Sequence, residues 1–227
     1  MNIQENIKGI FIDLDGTLVD SAPDLTSALN ISLNQLGYPD YTLEKTRHWI
    51  GNGLDQLLHR ALTNSDDGIA NTEILAQARE RFFIAYEQVN GQESTLFPGV
   101  ESALKRFNEM GVSVACITNK GRRFSLQLLQ HLNIEGHFSL VIGGDDVKAK
   151  KPAPDSIQKA LEHYGYSPDE CLMIGDSDND VFAANRAGVD VLCVDYGYSQ
   201  GVNLAELEIA GMISSMDDIQ LSHQGAR

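Results

Sequence analysis

Apolar runs of strand length alternate with amphipathic segments along most of the chain. The apolar runs cover residues 9–13, 112–118, 140–143, 171–176 and 189–195. Segments in which apolar residues recur at helical spacing lie between them, at about residues 100–110, 122–131, 154–164 and 180–187. This alternation is typical of a parallel sheet with helices on both faces. We therefore expect an α/β fold with a doubly wound, mainly parallel sheet and a Rossmann-like core.

The stretch between residues 20 and 96 interrupts this alternation. Its apolar residues recur at helical spacing, as in Leu25, Leu29 and Leu33, and it contains no convincing strand pattern. Such a length is too great for an ordinary connection between two strands. We therefore predict an α/β catalytic core made of residues 1–19 and 97–227, with an inserted all-helical cap made of residues 20–96.

Composition and charge narrow the classes of function. With 42% hydrophobic and 22% charged residues among 227, the chain can bury a substantial core. A formal net charge of −15 argues against nucleic-acid and anionic membrane partners. The apolar runs are too short to span a bilayer, and residues 1–6 show no secretory pattern. We expect a cytoplasmic monomer or small homo-oligomer in which Cys116, Cys171 and Cys193 are buried thiols.

Two aspartates follow the first apolar run, in the sequence Asp13-Leu14-Asp15-Gly16-Thr17. Side chains two residues apart on a strand lie on the same face, so this pattern would present both carboxylates together. Because like charges repel, the pair calls for a cation or a shared proton. Aspartate is also a common turn former at strand ends, and the pair alone leaves that alternative open.

Groups suited to binding an anion follow two further strands. Thr118 and Asn119 end the second predicted strand just before a helix, where a hydroxyl, an amide and free backbone N–H groups meet. Both residue types are also ordinary helix caps. Lys148, Lys150 and Lys151 follow the third strand in a loop stiffened by two prolines. One lysine held there could contact a phosphoryl group as a point charge, whereas we expect Lys148 and Lys150 to be solvated.

The fourth predicted strand ends in a dense acidic motif, Gly175-Asp176-Ser177-Asp178-Asn179-Asp180. Carboxylate oxygens are hard ligands that suit Mg²⁺. An acidic helix start, favoured by the helix dipole, is the alternative. That alternative explains Asp178, and in part Asp180, better than it explains Asp176.

Taken together, four motifs resemble those of the haloacid dehalogenase superfamily. They are Asp-Leu-Asp-Gly-Thr at 13–17, Ile-Thr-Asn-Lys at 117–120, Lys-Lys-Pro-Ala-Pro at 150–154 and Gly-Asp-Ser-Asp-Asn-Asp at 175–180. The resemblance covers essentially the whole chain, including a helical cap after the first motif. It implies a Mg²⁺-dependent phosphomonoester hydrolase that acts through an aspartyl-phosphate intermediate on a small-molecule substrate.

The resemblance also implies roles for individual residues. Asp13 would be the nucleophile, and Asp15 would protonate the leaving oxygen and then activate water. Thr118 and Lys151 would bind the phosphate, together with the amide of Asn119.

The implied metal site contains Asp13, Asp176 and the backbone carbonyl of Asp15, with Gly175 and Asp180 behind these ligands. Charge favours a metal there, because three carboxylates and a phosphate dianion bring about five negative charges into one pocket. Mg²⁺ and Lys151 would offset about three of them.

The cap segment 47–54 resembles the corresponding stretch of bacterial phosphoglycolate phosphatases, one branch of the superfamily. This resemblance implies 2-phosphoglycolate as the substrate. Backbone N–H groups exposed by glycines could approach its small carboxylate, whereas Trp49 is expected to pack inside the cap. The candidate specificity residues in this segment are Arg47, Gly51, Asn52 and Gly53.

Several alternatives differ in the reaction or the substrate. The presence of Asp15 argues against the dehalogenase branch, and Lys45, the single lysine of the cap, lies in a polar stretch unsuited to a phosphonatase Schiff base. A phosphatase for another small phosphomonoester, such as a sugar phosphate, nucleotide or pyrophosphate, stays open. So do a β-phosphoglucomutase-like phosphosugar mutase and an inactive binding protein.

Overall fold

A computed structural model describes residues 6–199 and 201–221. Its strands are β1 (Gly9–Ile12), β2 (Val19–Asp20), β3 (Thr95–Leu96), β4 (Ser113–Ile117), β5 (Leu140–Ile142), β6 (Cys171–Gly175), β7 (Asp190–Val194) and β8 (Gly211–Ile213). Its α-helices are α1 (Ala22–Asn34), α2 (Leu43–Trp49), α3 (Leu54–Thr63), α4 (Thr72–Val89), α5 (Val100–Glu109), α6 (Arg122–His131), α7 (Asp155–Tyr164) and α8 (Asp178–Ala187).

Six strands form one sheet in the order β5-β4-β1-β6-β7-β8, and every neighbouring pair is parallel. The central strand β1 buries alternate side chains on opposite faces. Ile10 and Ile12 join a cluster that contains Phe107 of α5, whereas Phe11 joins a cluster that contains Ile157 of α7. Because helices cover both faces, the predicted doubly wound α/β fold is confirmed.

Three strands have no counterpart in the sequence-based prediction. The edge strand β8 is three residues long and leaves Met212 41% exposed. It lies in a short apolar run, residues 209–213, that the prediction does not include. The strands β2 and β3 are two residues each and pair antiparallel. Short strands of this kind depend on their neighbour rather than on a local pattern.

Helices α1–α4 lie between β2 and β3, so the two connections to this helical segment run side by side. The helices pack around a common apolar cluster that includes Leu29, Leu58 and Phe82. The same cluster contains Phe124 and Tyr198, which lie outside residues 20–96. The helical segment therefore shares apolar contacts with the sheet-bearing part, and its separation as a domain stays a prediction.

Two predictions from composition concern the described part of the chain. The three cysteines are buried and unpaired, as expected. Within residues 6–199 and 201–221, no helix combines the length and the apolar character needed to cross a bilayer. Most of the N-terminal stretch searched for a secretory pattern, residues 1–5, lies outside the described residues.

Candidate active site

The carboxyl ends of three neighbouring strands place the predicted site residues side by side. Asp13 follows β1, Thr118 follows β4 and Asp176 follows β6. The Asp13 N–H donates to the Ile174 carbonyl at 3.0 Å, so the backbone of Asp13 continues the pairing of β1 with β6. Residues that follow parallel neighbouring strands meet at one edge of the sheet, where ligands bind in open α/β folds.

Three buried carboxylates form the centre of the site. One oxygen each of Asp13, Asp176 and Asp180 lies within 4.8 Å of the others. Lys151 Nζ lies 2.7 Å from Asp13 Oδ1 and 2.5 Å from Asp180 Oδ1. Three carboxylates against one ammonium leave negative charge without compensation. A set of hard oxygen donors with this surplus charge fits a divalent cation.

Burial perturbs the ionisation of this cluster. Burial raises the pKa of Asp13 to about 7, although the Lys151 ammonium opposes the shift. Burial, reinforced by the charges of Asp13 and Asp180, raises the pKa of Asp176 well above its usual value. Burial also acts to lower the pKa of Lys151, but the same two carboxylates outweigh it and raise this pKa. Desolvated carboxylates of this kind favour either a proton or a metal ion.

Two glycines make room for the carboxylates. A Cβ atom on Gly16, which has φ of +94°, would lie 2.1 Å from Asp176 Oδ2. A Cβ atom on Gly175 would lie 2.3 Å from Asp180 Cγ. The Tyr198 N–H donates to Asp176 Oδ2 at 2.6 Å and fixes its direction. Gly175 therefore allows Asp180 to approach closely, and its place behind the metal ligands stays a prediction.

Asp180 belongs to the cluster itself rather than lying behind it. Its Oδ2 accepts hydrogen bonds from the backbone N–H and the hydroxyl of Ser177, at 3.1 and 2.6 Å. Its other oxygen faces Lys151. The helix-start interpretation considered for this motif is thus part of the explanation, since one oxygen caps α8 while the other enters the site.

The side chain of Asp15 points to a different set of partners. Its carboxylate accepts from Lys120 Nζ at 2.8 and 3.1 Å and from the Ser21 hydroxyl at 2.5 Å. Burial acts to lower the pKa of Lys120, but Asp15 outweighs it and raises this pKa. The side chain of Asp15 is not in the carboxylate cluster, and metal binding through its carbonyl stays a prediction. Lys120 had no predicted role, although it ends the Ile-Thr-Asn-Lys motif.

Asn119 connects the two sides of the site. Its Nδ2 donates to the Lys151 carbonyl at 2.9 Å and to the Gly51 carbonyl at 3.2 Å. The amide group thereby ties the lysine loop to the helical segment. Its donor atom is engaged with protein carbonyls, so a direct contact with phosphate stays a prediction, as it does for Thr118.

A cavity of about 510 Å³ opens above the carboxylates, which is ample for a small phosphomonoester. Its walls come from the sheet edge and from the helical segment. Among the predicted residues it is lined by Asp13, Asp15, Gly51, Gly53, Thr118, Asn119 and Lys151. Other lining residues, which the sequence did not suggest, include Lys120, Asn179, Phe82 and Tyr86.

Two predicted residues of the cap segment do not line the cavity. Of the four predicted specificity residues, Arg47 and Asn52 are outside the described cavity lining. Arg47 Nη2 instead pairs with Asp20 Oδ2 at 2.6 Å. Trp49 is buried, and its Nε1 donates to Asp66 Oδ1 at 2.7 Å, which agrees with the predicted packing role.

The positions of Lys45 and Lys150 test the phosphonatase alternative and the expected solvation of the lysine loop. Lys45 donates to Asn64 Oδ1 at 2.6 Å and does not line the cavity, so it is badly placed for a Schiff base with substrate. Lys150 is exposed, as expected of a solvated lysine, but it also lines the cavity. The prediction that Lys150 is only a solvated loop residue is incomplete, because the loop turns its side chain toward the helical segment.

The family model of the haloacid dehalogenase-like hydrolases matches residues 10–194. The chain belongs to this family. The match includes all four motifs, each of which contributes a residue to the cavity described above.

Curated and solved members of the haloacid dehalogenase-like hydrolases are similar to nearly the whole chain. A phosphoglycolate phosphatase from Nitrosococcus oceani is 38% identical over 93% of this chain and 94% of its own length. A phosphoglycolate phosphatase from Aliivibrio fischeri is 41% identical over 89% of this chain and 90% of its own length. The crystal structure of a predicted phosphoglycolate phosphatase from Haemophilus somnus superposes with a TM-score of 0.88, at 30% identity over 93% and 96% of the two chains. The predicted family and the class of phosphoric monoester hydrolase are confirmed.

Proposed function

We propose that this hydrolase is a Mg²⁺-dependent phosphatase that converts 2-phosphoglycolate to glycolate and phosphate through an aspartyl phosphate on Asp13. The observation that carries the proposal is the setting of Asp13. It is buried at the strand end, 2.7 Å from Lys151, within the carboxylate cluster and at the floor of the cavity. The names of the similar proteins support the choice of substrate.

In the first step, a carboxylate oxygen of Asp13 attacks phosphorus and the bond to the leaving oxygen breaks. Asp15 donates a proton to that oxygen, so glycolate leaves with a neutral hydroxyl. The Lys120 and Ser21 contacts hold the Asp15 carboxyl in a fixed position at the cavity wall. Covalent catalysis of this kind divides one difficult displacement into two easier ones.

In the second step, Asp15 takes a proton from a water molecule while the oxygen of that water attacks phosphorus. The bond between the Asp13 oxygen and phosphorus breaks, which releases phosphate and restores the carboxylate. Lys151 stays next to Asp13 throughout and offsets negative charge on the phosphoryl group. Its additional hydrogen bond to the Ile117 carbonyl, at 2.8 Å, keeps the ammonium directed into the site.

The residues that would hold Mg²⁺ are Asp13, Asp176 and Asp180, whose carboxylates form the cluster, together with the backbone carbonyl of Asp15. When bound, the ion supplies positive charge and Lewis acidity at the phosphoryl oxygens. A hydrogen-bond donor for the substrate comes from Asn179, which is buried and lines the cavity. Its Nδ2 has no hydrogen-bond partner in the described part of the chain, so it is available to an anionic ligand.

The direct test is phosphate release from 2-phosphoglycolate with Mg²⁺ and with EDTA, beside sugar phosphates, nucleotides and pyrophosphate. We expect metal-dependent release with a preference for 2-phosphoglycolate. Preference for another phosphomonoester would refute the substrate while leaving the reaction in place. A requirement for a bisphosphorylated cofactor, with no phosphate released, would favour a mutase, and no turnover on any compound would favour a binding protein.

A further inference from the structure

The basic side chains of the cavity differ in whether they have an acidic partner. Four of them form ion pairs: Lys151 with Asp13 and Asp180, Lys120 with Asp15, Arg79 with Asp55, and Arg123 with Glu87. The fifth lining cation, Lys150, forms no ion pair with any residue of the described chain. Among the described residues that line the cavity, Lys150 is therefore the basic side chain whose charge is not already offset by a carboxylate.

The side chains of Lys150 and Lys151 have different neighbours. The ammonium of Lys151, the next residue, forms an ion pair with Asp13. Lys150 instead has its Nζ 3.4 Å from the point that a Cβ atom on Gly53 would occupy. Its Cε is 2.9 Å from the corresponding point on Gly144. The side chain of Lys150 therefore passes over Gly144, and its ammonium lies beside Gly53, where the sheet edge meets the helical segment.

We propose that Lys150 binds the carboxylate of the substrate and thereby selects small phosphomonoesters that carry a second anionic group. This inference rests on the proposed function, because it assigns the recognition of the carboxylate in that reaction. Two consecutive lysines would then hold the two anionic ends of one molecule, Lys151 at the phosphoryl group and Lys150 at the carboxylate. An ammonium–carboxylate hydrogen bond is stronger than a neutral one, and an uncharged sugar hydroxyl cannot replace it.

The test compares two substrates that differ at one end only. These are 2-phosphoglycolate and 2-hydroxyethyl phosphate, in which a hydroxymethyl group replaces the carboxylate. The variants are Lys150→Met and Lys150→Arg, with Lys148→Met as the matched control, because Lys148 is an exposed lysine of the same loop that does not line the cavity. Steady-state phosphate release gives KM and kcat separately for each pair.

We expect Lys150→Met to raise KM for 2-phosphoglycolate by about tenfold. This factor corresponds to the weaker end of the range for hydrogen bonds to charged groups, because Lys150 is exposed. The kcat of this variant should stay within about twofold of the wild-type value, because the lost contact binds the ground state and the transition state equally. Its kinetics with 2-hydroxyethyl phosphate should be unchanged. Lys150→Arg should recover part of the loss, and Lys148→Met should match wild type. An equal loss on both substrates, or no loss on 2-phosphoglycolate, would overturn the assignment of Lys150.

Failure of the proposed function would be seen in the wild-type protein first, as absence of phosphate release from 2-phosphoglycolate. In that case the same variants are compared by competitive inhibition of p-nitrophenyl phosphate hydrolysis. Inhibition by 2-phosphoglycolate that weakens about tenfold in Lys150→Met, with no change for 2-hydroxyethyl phosphate, still supports the carboxylate contact. Parallel behaviour of the two inhibitors overturns it.

Discussion

Replacing Asp176 by Asn should make the metal-free protein more stable while it removes most of the stabilisation by Mg²⁺. The carboxylate of Asp176 is buried within 4.8 Å of those of Asp13 and Asp180, and Lys151 forms ion pairs with those two carboxylates. An amide has nearly the same shape as a carboxylate, and its oxygen can still accept the Tyr198 N–H. The substitution therefore changes charge far more than it changes packing.

The size of the effect follows from the geometry. At an effective dielectric constant of about 20, two unit charges 4.8 Å apart interact by about 3.5 kcal/mol. Asp176 repels two carboxylates and attracts one ammonium, so removal of its charge relieves about one such interaction. Weaker hydrogen bonds to Tyr198 and Thr17 should cost about 1–2 kcal/mol. The net expectation is a gain of about 2 kcal/mol in the free energy of unfolding, or about 4–8 °C in Tm.

Equilibrium urea unfolding at pH 8, in EDTA and in saturating Mg²⁺, measures both effects. For wild type, Mg²⁺ at 100 times its Kd should add about 2.7 kcal/mol to the free energy of unfolding. Asp178→Asn is the matched control, since Asp178 lies in the same motif but outside the cluster, and it should leave both quantities nearly unchanged. The reasoning is refuted if Asp176→Asn is less stable than wild type in EDTA, or if it keeps the full Mg²⁺ effect.

Three further predictions concern other groups. Asp15→Asn should lower kcat for phosphate release by about 10²–10⁴-fold, because the amide can neither give nor take the proton; a loss below tenfold would contradict this role. The hydrogen bond from Lys8 lowers the pKa of Glu170 from 4.5 to about 2, so its stabilising contribution is present above pH 4.5 and lost as pH falls toward 2. An NMR titration should show the Glu170 pKa rising in Lys8→Met; an unchanged value would exclude the pair as its cause. Burial raises the pKa of Cys193 to about 12, so a thiol reagent should label it slowly in native protein and rapidly in urea, and fast native labelling would argue against its burial.

The sheet was predictable where strands are apolar and long enough to leave a pattern. Strands β1, β4, β6 and β7 are four or five residues long and almost wholly buried, so each has a continuous apolar run. The edge strand β8 has only three residues and a half-exposed methionine, and it forms because β7 provides the pairing partner. Residues 209–213 are apolar or glycine, but this short local pattern does not specify that the segment pairs with β7 at the sheet edge.

The candidate site was predictable where chemistry and strand ends coincide. Asp13, Thr118 and Asp176 follow neighbouring strands, so topology brings them together. Contacts between the helical segment and the sheet edge were not predictable, because they depend on where the helices pack. Arg47 lies in the suggestive cap stretch but pairs with Asp20, whereas Lys150, expected only to be solvated, lines the cavity.

The central claim is covalent catalysis by Asp13, and trapping the intermediate tests it most directly. Turnover of 2-phosphoglycolate is quenched, the protein is reduced with borohydride, and the peptide containing residue 13 is analysed by mass spectrometry. Reduction of an acyl phosphate converts the aspartate to homoserine, so the account predicts homoserine at position 13 in wild type and none in Asp13→Asn. Homoserine at position 15 instead, or none at any position under conditions of rapid turnover, would contradict the account.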